Sequence, residues 1–141
     1  MIVEDILVEV SALFEACPLY YGHGTDNAWD EAVALVLGST GLPDQDSSRG
    51  EEIPAATGEL IRERARRRVR ERLPLGYLLG EVNYCGLEFA VEPGILIPRS
   101  PIGPWLTNGG LDTWLVRTPV RILDLCCGSG CLGILAAHVF S

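Results

Sequence analysis

The chain has 141 residues, 48% hydrophobic and 21% charged, with 11 basic against 19 acidic side chains and a formal charge of −8. That length suits about one domain, since domains run to roughly 100–200 residues, and the composition excludes an intrinsically disordered chain. No run approaches about 18 consecutive apolar residues, so no membrane-spanning helix is expected, and the opening Met1-Ile2-Val3-Glu4-Asp5 lacks the basic region of a signal peptide.

Amphipathic spacing of Ile2, Val3, Ile6, Leu7, Val10, Leu13 and Phe14 predicts a first helix that ends at Pro18. A second helix is expected to start at Asp26 or Asn27, to bury Trp29, Ala32, Val33, Val36 and Leu37, and to stop at Gly38. The polar stretch Ser39–Gly50 predicts an exposed loop. A third helix is predicted from about Ala55 to Arg72, with a thin apolar face of Leu60, Ile61, Ala65 and Val69. Beyond Leu73-Pro74 the period changes. Glu81–Tyr84 and Leu87–Val91 flank Cys85-Gly86, the pattern of a β-hairpin with a tight turn. The three prolines of Pro98–Pro104 exclude a regular strand there, and Asn108-Gly109-Gly110 marks a loop. Val120–Leu125 predicts a short buried strand that leads through Cys126-Cys127-Gly128-Ser129-Gly130 into an apolar helix from Leu132 onward.

Charge is spread unevenly. Residues 1–60 hold twelve acids and one arginine, residues 61–72 seven arginines and two acids, and residues 73–141 five acids and three arginines. The arginine run between 62 and 72 predicts a solvated face against acidic helices; its second reading is local contact with RNA phosphate. All 11 basic residues are arginine, which reflects base composition before any special role. The five cysteines (Cys17, Cys85, Cys126, Cys127, Cys131) are odd in number, and adjacent Cys126 and Cys127 are poor disulfide partners, so reduced thiols in a cytoplasmic protein are expected. No C-x-x-C pair occurs, and His23 and His138 stand in unrelated contexts, so no metal site is predicted.

The chemistry-bearing unit is strand, glycine turn, helix. Glycines at such a turn let the backbone approach a ligand, and free N–H groups at a helix start accept negative charge. Gly128-x-Gly130-x-x-Gly133 satisfies the dinucleotide pattern G-x-G-x-x-G. Asp124, four residues ahead of Gly128, fits better the acid-x-G-x-G-x-G loop that binds S-adenosylmethionine (SAM), where the acid orients the loop or takes a hydrogen bond from the ligand amine. Cys126 stands where the first glycine of that loop would fall. A tight turn without a ligand is the plain alternative, and Cys127 there is expected to be a small packed residue rather than a nucleophile.

The stretch Tyr77–Gly103 (YLLGEVNYCGLEFAVEPGILIPRSPIG), followed by RILDLCCGSGC, resembles the HemK/PrmB protein-glutamine methyltransferases. The resemblance implies an α/β protein: an N-terminal helical, substrate-recognising domain over residues 1–72, a β-hairpin and PRSPIG linker over 73–119, and over 120–141 the first strand, glycine loop and helix of a Rossmann-like SAM-dependent domain. Pro98-Arg99-Ser100-Pro101-Ile102-Gly103 is similar to the PrmB-like branch, which modifies a glutamine of a large-subunit ribosomal protein, rather than to the release-factor branch with its PRPxTE-type segment. Residue by residue, the resemblance assigns SAM contact to Asp124, Cys126, Cys127, Gly128, Ser129 and Gly130, and proximity to the cofactor to Pro98 and Arg99. Pro104 stands where the branch usually carries Glu. The family's catalytic Asn-Pro-Pro-Tyr does not occur in these 141 residues, and the ribose-binding acid would fall past Ser141. The resulting expectation is the N-terminal part of a methyltransferase about twice as long, inactive as it stands. A nicotinamide-dependent oxidoreductase fragment and a non-catalytic module that docks a ribosomal protein or its RNA are the alternatives.

Overall fold

A computed structural model describes residues 1–22 and 24–141, so His23 lies outside it. The described chain divides into two compact units, Met1–Leu79 and Gly80–Ser141. Among the described residues there are helices and one two-stranded antiparallel sheet, a mixed α/β composition. Among the described residues no helix is long and apolar enough to cross a membrane.

The first unit is helical. Helix α1 (Val3–Glu15) buries Val3, Ile6, Leu7, Val10 and Phe14 of the predicted stripe, with Leu13 half-buried against them. Ile2 departs from it: as the residue preceding the helix it is extended, pairs antiparallel with Glu52, and is largely exposed. Helix α2 (Ala28–Thr40) is capped by Asn27, whose side-chain oxygen accepts from the Asp30 N–H at 2.9 Å. It runs past the predicted stop at Gly38 and ends at Gly41, which takes the left-handed conformation (φ 72°) and donates its N–H to Leu37 O at 2.8 Å. Gly38 serves packing instead, because a Cβ there would lie 2.8 Å from Leu79 Cδ1. The buried face of α2 is Ala28, Ala32, Leu35 and Val36; Trp29, Val33 and Leu37, expected inside, flank it half-buried.

The stretch after α2 is a loop that closes with a 3-10 turn, Asp46–Gly50. Helix α3 (Ala55–Glu71) buries Ile61, Ala65 and the side chain of Arg68. Leu60 falls one residue off that stripe and is largely exposed. A short helix, α4 (Leu75–Leu79), was not legible in the sequence and adds Leu75 to the core. Each large side chain fully removed from water contributes about 1.5–3 kcal/mol, and Ile6, Leu7, Phe14, Leu35 and Ile61 are all sealed.

The second unit opens with the predicted hairpin, β1 (Glu81–Tyr84) and β2 (Leu87–Ala90), with Tyr84 opposite Leu87. Its turn residues Cys85 and Gly86 both have positive φ (53° and 82°), as a two-residue turn matching the strand twist requires. Helix α5 (Ile102–Thr107) starts within the proline-rich segment, and Pro104 sits in its first turn, where a missing N–H costs nothing. Helix α6 (Cys131–Val139) follows the glycine loop as predicted. Tyr84, Phe89, Cys131 and Leu135 form this unit's buried cluster.

The predicted strand Val120–Leu125 is corrected by the structure. The segment carries no β ladder, and Val120, Leu123 and Leu125 are 88%, 84% and 79% exposed. A strand is a property of a pair: β1 and β2 bond to each other, so among the described residues VRILDL has no neighbour to complete its backbone hydrogen bonds or cover its side chains.

Candidate functional site

The glycine loop is built by backbone conformation. Cys126, Gly128 and Gly130 have φ of 59°, 57° and 75°, alternate left-handed residues that turn the chain sharply into α6. Cys126 therefore holds a conformation that glycine adopts freely and a β-carbon disfavours. The Gly130 N–H donates to Cys127 O at 2.8 Å and closes the turn. A Cβ at Gly128 or Gly130 would meet nothing within 4 Å, so the loop presents an open face. Cys126 and Cys127 are exposed. That corrects the expectation that Cys127 is packed: the turn lies on the surface, with no core behind it to receive the thiol.

Asp124 Oδ2 accepts a hydrogen bond from the Gly133 N–H at 2.9 Å. Gly133 lies in the first turn of α6, where amides have no intrahelical acceptor. Gly130, at the N-cap position, has no side chain to cap the helix. The carboxylate thus does from the flank what a capping side chain does from the end, with its charge at the positive end of the helix dipole. Of the two roles foreseen for this acid, loop orientation is the one its geometry displays.

The other predicted cofactor residues, Pro98 and Arg99, lie on a separate segment; Pro98 is buried and Arg99 exposed. What holds that segment is a residue that sequence reasoning missed. The Tyr84 hydroxyl donates to Ser100 O and accepts from the Gly103 N–H at 3.1 Å. Burial pushes the Tyr84 phenol above its ordinary 10.0, so it remains a donor at neutral pH. The only sequence signal was an aromatic at the strand's end beside the turn.

A cavity of about 430 Å³ lies between α5, the 119–124 segment and α6, lined by Ile102, Leu106, Ile122, Leu132 and Ala136 among others. Of the predicted cofactor residues only Asp124 borders it. This apolar space is a different surface from the open face of the glycine loop.

In the helical unit the arginine run is engaged throughout. Arg62 bonds Glu9 and Glu59, Arg64 the Ser39 hydroxyl, Arg66 Glu63, Arg67 and Arg70 Glu71, and Arg72 the Pro18 carbonyl. Arg68 is buried against Glu31 and also donates to Tyr20 O at 2.9 Å. Five of these arginines pair with glutamates, and Arg64 and Arg72 hold neutral oxygens. Among the described residues no cluster of three His, Cys, Asp or Glu side chains is placed to hold a metal ion.

Comparison with curated proteins gives the family context. The chain is 41% identical, over 96% of its length, to a ribosomal protein uL3 glutamine methyltransferase of Bordetella pertussis, of which it covers 47%. It is also 41% identical, over 95% of its length, to the protein of that name from Xanthomonas campestris pv. campestris, of which it covers 44%. The chain is similar to proteins of this name over nearly its whole length. The resemblance first seen in PRSPIG and the glycine loop extends through the helical unit as well, since the alignments cover nearly the whole chain. The chain spans about half the length of the curated relatives it matches. No family model matches it.

Proposed function

We propose that this chain carries the cofactor-side part of a SAM-dependent protein-glutamine methyltransferase, with a glutamine side-chain amide of a large-subunit ribosomal protein as methyl acceptor. The relatives' names support the reaction class. The observation that carries the choice of cofactor is the Asp124 carboxylate on the Gly133 amide. Gly133 is the third glycine of the dinucleotide pattern, and that pattern needs the start of its helix for a pyrophosphate. A carboxylate already seated there repels a second anion. The same charge suits SAM, whose ammonium and sulfonium together outweigh its single carboxylate.

In this reading residues 120–141 belong to a Rossmann-like domain, 73–119 form the linker and 1–72 recognise the protein substrate. When bound, SAM supplies an electrophilic methyl group. The chain's own part is to hold it: Gly128, Ser129 and Gly130 with Cys126 and Cys127 offer an open backbone face, Asp124 fixes the helix behind them, and Pro98 and Arg99 border the cofactor. An amide nitrogen is a poor nucleophile because its lone pair is delocalised, so the reaction also needs groups that align it and accept its N–H bonds. The Asn-Pro-Pro-Tyr motif that does this in the family is not among these 141 residues, and the chain alone is expected to transfer no methyl. RNA contact through Arg62–Arg72 is the weaker partner reading, because each guanidinium already holds a protein acceptor.

Calorimetry with S-adenosylhomocysteine and with NADH tests the reading. Binding of the former and not the latter is expected. Tighter binding of NADH overturns the cofactor choice, and transfer of labelled methyl by the 141 residues alone overturns the division of labour.

A further inference from the structure

The 98–103 segment, which carries Pro98 and Arg99, and helix α6, which the glycine loop opens, converge on one side chain in the hairpin. We propose that Tyr84 is the positioning residue of the candidate cofactor site, its hydroxyl fixing the 98–103 segment and its ring seating α6. The inference rests on the functional reading above for the cofactor's identity, and on geometry alone for the positioning.

Three features support it. The hydroxyl spans the segment, bonding the Ser100 carbonyl and the Gly103 amide, so residues on both sides of Pro101 are tied to one atom. Gly103 is shaped around it, since a Cβ there would stand 2.1 Å from the Tyr84 oxygen. Only glycine leaves room for the tyrosine that holds its amide. The ring in turn shares a buried cluster with Cys131 and Leu135, the first of which directly follows Gly130 of the loop. Its contact with Phe89, at 6.3 Å between centroids, anchors it to the second hairpin strand. Tyr84 touches no predicted cofactor residue by these contacts; it acts through Ser100, Gly103 and Cys131.

Tyr84→Phe keeps the ring and the hairpin and removes only the two hydrogen bonds. Its expected signature is local. Hydrogen exchange of the Gly103 amide and tryptic cleavage after Arg99 accelerate by about fivefold or more, the scale of one net hydrogen bond, while cleavage within α3 keeps its wild-type rate. Gly103→Ala, which drives a methyl against the same oxygen, is expected to accelerate both as well. With S-adenosylhomocysteine as probe, Tyr84→Phe weakens binding by a similar factor, and Phe89→Leu, which loosens the hairpin without touching the hydroxyl, weakens it less. Wild-type exchange at Gly103 and wild-type cleavage at Arg99 in Tyr84→Phe overturn the positioning role, as does unchanged affinity where the wild type binds. If the wild-type chain does not bind S-adenosylhomocysteine at all, the functional reading fails, and the exchange and cleavage rates alone decide whether Tyr84 holds the segment.

Discussion

Asp124 and Gly133 lie nine positions apart in sequence and meet side chain to backbone at 2.9 Å, so that the acid preceding the glycine loop caps the helix following it. The pairing couples the two ends of the loop, and its loss is expected to matter twice. Asp124→Ala leaves an unsatisfied first-turn amide and lowers stability by about 1 kcal/mol, in the range of lost caps. Asp124→Asn keeps an acceptor but loses the charge at the helix dipole, and costs about half as much. Urea unfolding followed by a probe in the second unit distinguishes them; equal effects would show that the carboxylate's charge contributes nothing.

Cys126 holds φ 59° without being glycine. A β-carbon in that conformation costs about 1–2 kcal/mol, partly offset because glycine adds freedom to the unfolded chain. Cys126→Gly is therefore expected to raise stability by up to about 1 kcal/mol, and Cys126→Val to lower it. Thermal unfolding of the two variants checks the sign. A destabilised glycine variant would mean that the thiol makes a compensating contact.

The Arg68–Glu31 pair is nearly fully buried, with Glu31 also accepting from the Thr25 hydroxyl at 3.1 Å. Removing one partner leaves the other charge buried and unpaired, so Arg68→Met or Glu31→Leu alone should cost about 3–5 kcal/mol. The double variant should recover much of that loss, because two apolar side chains leave no orphaned charge. A double-mutant cycle by denaturant unfolding measures the coupling; simple additivity would contradict the pairing.

The Arg62 guanidinium, hydrogen-bonded to Glu9, holds that carboxyl below its ordinary 4.5. A carboxylate with a folded pKa below the unfolded one stabilises fully above the unfolded value and loses its contribution as pH falls through the folded value. The helical unit should accordingly lose stability below about pH 4.5, and Glu9→Gln should flatten that part of the profile. Glu9 is half-exposed, so solvent screening keeps the effect under about 1 kcal/mol and 0.5 M salt should shrink it. Melting temperatures from pH 2.5 to 7 for both proteins provide the measurement.

Val116, Val120, Leu123 and Leu125 are exposed along one stretch of the second unit. Large apolar side chains left in water bind hydrophobic dyes and drive association. The chain is expected to enhance anilinonaphthalene sulfonate fluorescence and to sediment faster as concentration rises. Replacing Val120, Leu123 and Leu125 by Thr, Gln and Gln should suppress both without altering the melting of the helical unit.

Local rules in the sequence were enough for much of this molecule. The 3, 6, 7, 10, 14 stripe of α1, the Asn27 cap, the Cys85-Gly86 turn and the glycine loop with its helix all depend on neighbours a few residues apart, where spacing, capping and φ preference act directly. The PRSPIG segment and the glycine loop were also enough to point to the family that the relatives then supported. Only tertiary structure decided the rest. Gly38 was free to end a helix or to accommodate Leu79, and packing chose the second. Arg68 looked like one more solvated arginine until Glu31, 37 positions earlier, was folded against it. Tyr84 carried no motif, yet it joins Ser100, Gly103 and Cys131. Val120–Leu125 has a strand's composition, but pairing requires a second chain segment alongside, and no sequence of six residues contains its own partner.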